Sequence, residues 1–187
     1  MELNEVIRNR RSVRKYKSDP IPEQTVRELL ELAAWAPNGM NLQPWVFAVV
    51  EDREYMKSLS DRAKTYLLER LQVAPALERY RALFTNPQFN IFYDAPVLVL
   101  IYGDKNVMTH LFDCSMAAQN LMLSAWDKGI GSCWIGFANG IADTPEVKKE
   151  LGVPEGYELV APIILGYPEG ATGKGARSEV KVVNWKR

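Results

Sequence analysis

Arg10-Arg11-Ser12-Val13-Arg14, followed by Lys15 and Lys17, is the stretch from which the rest of the chain is read. Three arginines and a hydroxyl fall within five residues, directly after a short apolar-periodic segment (Leu3, Val6, Ile7). Guanidinium forks match the geometry of phosphate oxygens, and Ser12 adds a neutral donor. The alternatives are a solvated charge run or a loose nucleic-acid patch. The remaining sequence decides between them.

Over 187 residues, Lys plus Arg number 23 and Asp plus Glu number 23, so the net charge is zero and the basic run is a local feature. A general nucleic-acid binder is expected to be basic over the whole domain, and this chain is not. Hydrophobic residues make up 47% and charged residues 25%, the balance of a globular protein with a sizeable core. The length corresponds to one domain, residues 1–187. No apolar run approaches the roughly 18–20 residues of a membrane span, and the charged N-terminus lacks the apolar centre of a signal peptide. Cys114 and Cys133 form neither a CxxC pair nor a disulfide framework, and His110 is the single histidine. No metal site is expected from such a set, and a cytoplasmic location is.

Outward from the arginines, Met1–Asn9 reads as a short helix that delivers them. Pro22 opens a second helix in which Val26, Leu29, Leu30, Leu32, Ala33 and Ala36 recur at helical spacing up to Pro37. Pro37–Pro44 is turn-rich, and Trp45–Val50 is a buried strand. A charged helix from Arg53 to about Leu71 comes next. Pro75–Asp94, aromatic and broken by Pro87, forms a short helical excursion over a pocket. Val97–Tyr102 is a second buried strand, ended by Gly103-Asp104. Val107 to about Asp127 is a long apolar helix whose small residues (Ser115, Ala117, Ala118, Ser124, Ala125) allow close packing. Ser132–Phe137 is a short strand, Thr144–Leu151 a helix and Tyr157–Gly166 a further strand. Val180–Trp185 alternates enough for an arm or edge strand. Few strands and long helices indicate an α+β, three-layer arrangement around one modest sheet.

Gly129, Gly131 and Gly136 imitate a dinucleotide fingerprint but follow a helix and open a strand, the reverse of the order that brings pyrophosphate to a helix N-terminus. Gly136 either lets backbone approach a flat ligand or forms part of a plain turn. Asn38, Asn41 and Gln43 crowd amide donors and acceptors into one loop beside Trp45. That loop is either an ordinary turn or suited to the edge of a heterocycle. No GxSxG elbow, Ser/His pairing or HExxH is present. Side-chain acid–base chemistry is thinly provided, which an organic cofactor carrying the chemistry explains.

Taken in order, five segments resemble the nitroreductase family of flavoproteins: Arg10–Arg14, Ala36–Trp45, Ala95-Pro96-Val97-Leu98-Val99, Gly129–Gly136 and Gly166-Tyr167-Pro168. Each motif alone is weak, but five in sequence are specific. The resemblance implies an α+β fold with a central, mainly antiparallel sheet flanked by helices. It also implies an intertwined homodimer, with FMN at each subunit interface and the C-terminal arm exchanged. Arg10, Arg11, Ser12 and Arg14 would hold FMN, with Arg10 and Ser12 at the phosphate and ribityl chain and Arg14 near N1 and O2. Pro37, Asn38, Met40, Asn41 and Gln43 would reach the flavin from the other subunit. Cys133, Trp134, Ile135 and Gly136 would lie along the ring. Arg177 matches a late arginine that closes on the phosphate, with Lys174 a second choice for that job.

The implied activity is ping-pong transfer of hydride from NADH or NADPH, through flavin N5, to an electron acceptor such as a nitroaromatic or quinone. No catalytic side chain is required. Other occupants of similar scaffolds are dehalogenases of the iodotyrosine type, flavin-destroying enzymes and non-catalytic flavin-binding proteins.

Overall fold

In the computed structural model, which describes residues 1–173 and 175–187, the helices are α1 (Leu3–Asn9), α2 (Glu23–Ala34), α3 (Arg53–Glu69), α4 (Arg81–Phe84), α5 (His110–Asp127), α6 (Asn139–Ala142) and α7 (Pro145–Glu150). The strands are β1 (Trp45–Val50), β2 (Val97–Asp104), β3 (Gly131–Trp134) and β4 (Tyr157–Gly166). Lys174 lies outside the described residues.

The strands form one antiparallel sheet in the order β1-β2-β4-β3. Val99 pairs with Val49 on one side and Ile163 on the other, so β2 is interior to the sheet. Successive side chains leave a strand on opposite faces. Val97, Val99 and Ile101 of β2 therefore join α2 and α5 through Leu29, Ala33, Ala117, Ala118 and Leu121. Leu98, Leu100 and Tyr102 enter the other layer, with Met56, Leu59 and Ala63 of α3 and with Ile91 and Phe92. Burial on both faces is why β2 is continuously apolar rather than alternating. The result is the expected α+β fold in three layers.

Local chemistry accounts for the helix ends. The Asp52 carboxylate caps α3, accepting from the Glu54 and Tyr55 amides at 2.9 and 3.0 Å. Thr144 caps α7 with Pro145 in its first turn. Gly129, at φ +73°, terminates α5, and Gly131 begins β3, so the glycine-rich segment is a helix cap and strand start rather than a phosphate loop.

Three boundaries and one element differ from expectation. β2 continues through Gly103 and Asp104, which pair with Glu158 and Tyr157. α5 begins at His110 because the Asp104 carboxylate accepts from the Asn106 amide and folds 105–109 into turns. β3 ends at Trp134, after which Gly136–Ala138 forms a 3₁₀ turn. No strand forms over 180–185: Val180, Val182, Val183 and Trp185 are exposed and pair with no strand among the described residues. An alternating pattern becomes a strand only where a partner's backbone groups are available.

His110 opens α5 with Nδ1 2.7 Å from the Val107 carbonyl and Nε2 2.6 Å from the Glu158 carboxylate. Two acceptors call for two ring N–H donors, hence an imidazolium. Burial pulls its pKa down. The hydrogen bonds to Glu158 and Val107 and the charges of Glu158 and Asp104 outweigh that, so it sits above the ordinary 6.5. A raised folded-state pKa gives stability that is complete below about pH 6.5 and is lost as pH rises through the folded value. Thermal midpoints measured from pH 6 to 9 are expected to fall with a slope that His110→Gln removes. An unchanged slope in that variant would assign the pH dependence elsewhere.

Candidate functional site

The arginine segment is laid along the free edge of β3. Val13 N–H donates to the Ser132 carbonyl at 2.9 Å, and Ser12 bridges Ser132 in parallel. Further on, Lys17 N–H donates to the Tyr167 carbonyl and Glu169 N–H to the Lys15 carbonyl, both at 2.9 Å. Glycine permits this approach: a methyl group at Gly131 would stand 2.7 Å from Val13 Cγ2, and one at Gly166 would stand 2.6 Å from the Tyr16 ring. Val13 is buried, so its neighbours Ser12 and Arg14 turn outward by simple alternation.

The three arginines do different work. Arg11 is a tether: Nη1 donates to the Arg8 and Arg10 carbonyls at 2.7 Å each, closing the end of α1, and Nε donates to the Gly173 carbonyl at 3.2 Å. That pins the start of the tail and brings Arg177 toward Arg10. The Arg10 guanidinium is pushed below its ordinary pKa by burial, then by the positive charges of Arg177 and Arg11. Among the described residues no carboxylate makes an ion pair with Arg10, Arg11, Arg14 or Arg177. Ser12 and Arg14 line a 440 Å³ cavity with Pro168–Gly173.

Arg14 also borders a second cavity of 340 Å³, lined by Cys133, Trp134, Ile135, Gly136, Phe137, Leu77, Ile91 and Tyr93. A methyl group at Gly136 would meet nothing within 4 Å, so this backbone faces open space. The Ile135 N–H is engaged by the Pro162 carbonyl at 2.8 Å. Burial raises the Cys133 thiol pKa against the opposing influence of Arg14, Ser12 and Arg10, while Cys114 is pushed up to about 12 by burial and Asp113. Both cysteines are therefore thiols at neutral pH, unsuited to nucleophilic chemistry.

The cavity wall comes from the 75–94 excursion. Phe137 meets Tyr80 and Phe84 edge-on, with ring centroids 5.1 Å apart in each pair. Tyr93 lies at φ 53°, a left-handed conformation that is unusual for a bulky residue. The sequence marks the segment as an excursion over a pocket but does not single out Leu77, Ile91, Tyr93 and Phe137 as its wall. The aromatic density was the available signal.

The amide loop lies apart from these groups. Pro37, Asn38, Asn41 and Gln43 line a cavity with Glu31, Ala34, Trp35 and Ala36 that shares no residue with the two cavities at the arginines. Met40, Asn41 and Gln43 have φ values of 50°, 56° and 47°. The Asn38 side-chain oxygen clasps Gln43 N–H at 2.9 Å, and Gly39 N–H donates to the buried Asp113 carboxylate at 3.2 Å. One chain thus gathers Arg10, Arg11, Ser12, Arg14, Cys133, Trp134, Ile135, Gly136 and Arg177. It sets Pro37, Asn38, Met40, Asn41 and Gln43 elsewhere. Beside that loop, Met108, Leu111, Phe112 and Met116 of the α5 region, together with Trp35, Met40 and Leu42, leave apolar surface exposed.

No helix is long and apolar enough to cross a membrane, and no cluster of three metal-ligating side chains occurs, both among the described residues.

The fold and sequence have close counterparts. A crystal structure of a nitroreductase with bound FMN from Bacteroides fragilis superposes with a TM-score of 0.85 at 30% identity, covering 98% of this chain and 100% of that one. Nitroreductase NfnB of Mycolicibacterium smegmatis is 30% identical over 88% of this chain and 82% of its own. An iodotyrosine deiodinase of Thermotoga neapolitana is 28% identical over 96% of both. The sequence model of the Nitroreductase family matches residues 7–167, the span that holds the arginine segment, the amide loop and the whole sheet, and the chain belongs to that family.

Proposed function

We propose that this chain is an FMN-dependent NAD(P)H oxidoreductase, a single FMN-binding domain over residues 1–187. It acts in the cytoplasm as a homodimer that delivers reducing equivalents to a small acceptor such as a nitroaromatic or quinone. The observation that carries the reading is Arg10 crowded by Arg177 and Arg11 with, among the described residues, no carboxylate paired to them. Like charges gathered without a counter-ion are destabilising, and a phosphate dianion relieves them.

The residues present fit FMN. Arg10, Ser12 and Arg177 suit its phosphate and ribityl chain. The open backbone face at Gly136, between Cys133 and Phe137, suits a flat ring, with Arg14 at its polar edge. Bound there, FMN supplies two-electron redox chemistry between nicotinamide and acceptor. The Arg14 cation stabilises negative charge on the ring. The wall of Leu77, Tyr93 and Phe137 excludes water and selects flat, apolar partners. Asn38, Asn41 and Gln43 serve the site of a second copy, which accounts for their distance from the arginines within one chain. The exposed apolar surface of α5 is the contact between copies, and the tail through Trp185 crosses it.

The likeness to the Thermotoga deiodinase favours halogenated phenols as the second acceptor class to try. The deciding experiment is the visible spectrum of purified, dialysed protein. Flavin bands that bleach on anaerobic addition of NADH or NADPH, and return with a nitroaromatic or quinone, are expected. Bands that neither nucleotide bleaches would make this a flavin carrier. Colourless protein that takes up no added FMN would overturn the reading.

A further inference from the structure

We infer that Asp113 is a positioning residue of the flavin site: from the first turn of α5 its carboxylate holds the Asn38–Gln43 loop in the conformation that presents its amides. The inference rests on the function proposed above for that loop. Asp113 is 2% exposed, so its carboxylate must find partners inside the protein. It accepts the Thr109 hydroxyl at 2.7 Å and the Gly39 N–H at 3.2 and 3.3 Å through its two oxygens.

An acidic side chain in the first turn of a helix ordinarily serves that helix. Here Thr109, at the cap position of α5, makes no side-chain cap bond, and its hydroxyl turns to Asp113 instead. Both side chains are thus turned to the loop, and the partial positive charge at the start of an 18-residue helix stabilises the carboxylate where it stands. The fit is close on the loop side as well. A methyl group at Gly39 would stand 2.6 Å from Thr109 Oγ1.

Such an anchor is needed because the loop is strained. Met40, Asn41 and Gln43 all take left-handed backbone angles, a run that persists only where the surroundings over-determine it. The Asn38–Gln43 clasp is internal to the loop. Among the described residues, Asp113 is the side chain from outside residues 36–44 that hydrogen-bonds its backbone between Asn38 and Gln43. Without it the amides lose their fixed directions, and a heterocycle edge would have to order them on binding.

The test measures FMN affinity of the apoprotein by flavin fluorescence and, without FMN, amide hydrogen exchange across residues 38–43. Asp113→Ala is expected to weaken FMN binding about 10-fold or more and to speed exchange in the loop, as expected for a lost charge-assisted hydrogen bond. Asp113→Asn, whose amide oxygen still accepts from Gly39, is expected to recover most of both. A merely structural role would lower the thermal midpoint without this recovery of affinity. Gly39→Ala lifts the loop from its own side and leaves the carboxylate intact, so it serves even if Asp113→Ala folds poorly. It is expected to weaken FMN binding similarly while α5 stays protected. Wild-type affinity and exchange in both Asp113→Ala and Gly39→Ala would overturn the inference. Faster loop exchange in protein that takes up no FMN would leave Asp113 as the anchor and remove the flavin reading instead.

Discussion

Arg10→Ala is expected to empty the protein of FMN on dialysis. Arg10 is partly buried, and Arg177 and Arg11 crowd it. Hydrogen bonds to a charged partner contribute about 1.5–3 kcal/mol, so loss of this one lowers affinity roughly 10- to 150-fold. Arg10→Lys keeps the charge but loses the two-pronged fork, and a smaller loss is expected. Arg11→Ala provides the contrast. Its guanidinium is already occupied by the carbonyls of Arg8, Arg10 and Gly173, so its loss should free the tail more than it weakens phosphate contact directly. Absorbance of the flavin band after exhaustive dialysis separates the three variants. Full retention of flavin by Arg10→Ala would take that arginine out of the phosphate site.

Phe112→Asp is expected to split the proposed dimer and lose FMN in the same step. Phe112 is 71% exposed, flanked on the α5 face by Met108, Leu111 and Met116. In a two-fold symmetric contact each substitution counts twice. Burying one aromatic side chain is worth about 1.5–3 kcal/mol, so the pair accounts for about 3–6 kcal/mol and dimer affinity falls 100-fold or more. Sedimentation across a dilution series, read together with flavin absorbance, checks this. Loss of flavin should track loss of dimer, because the amide loop and the arginines lie in separate cavities of one chain. A monomer that holds FMN and turns over NADH would overturn the shared-site arrangement.

How much of this is legible in the sequence depends on whether the deciding interaction is local. Val97–Tyr102 reads plainly as a strand because every residue in it is apolar and both its faces are covered. The α2 stripe of Val26, Leu29 and Ala33 reads just as plainly because helical spacing is a property of neighbours. The end of β3 is misread because Ile135 and Phe137 are apolar in strand and turn alike, and only the turn at Gly136 distinguishes them. The tail alternates, yet a strand is a relation between two segments and none of the described residues pairs with it. Asp113 escapes notice because its partner Gly39 lies 74 residues away. Tyr93 escapes because a left-handed backbone at an aromatic residue is imposed by packing, not by propensity. The arginine run announces an anion site, but the separate task of Arg11 emerges only once the tail is seen folded back on it.

The docking of residues 12–17 on Ser132, Tyr167 and Pro168 fixes when the site exists during synthesis. The arginines are synthesised before the edge they lie on, which is made more than a hundred residues later and is completed only by β4. Until then they have no strand edge to dock on, and closing so long a loop is among the slower steps of folding. A chain cut short before Gly166 therefore lacks this cradle, and cofactor uptake at the proposed site is expected only once β4 is in place. A ligand that engages only the sheet with β4 in place adds its binding energy to the stability of the whole sheet, so the thermal midpoint is expected to rise with cofactor concentration.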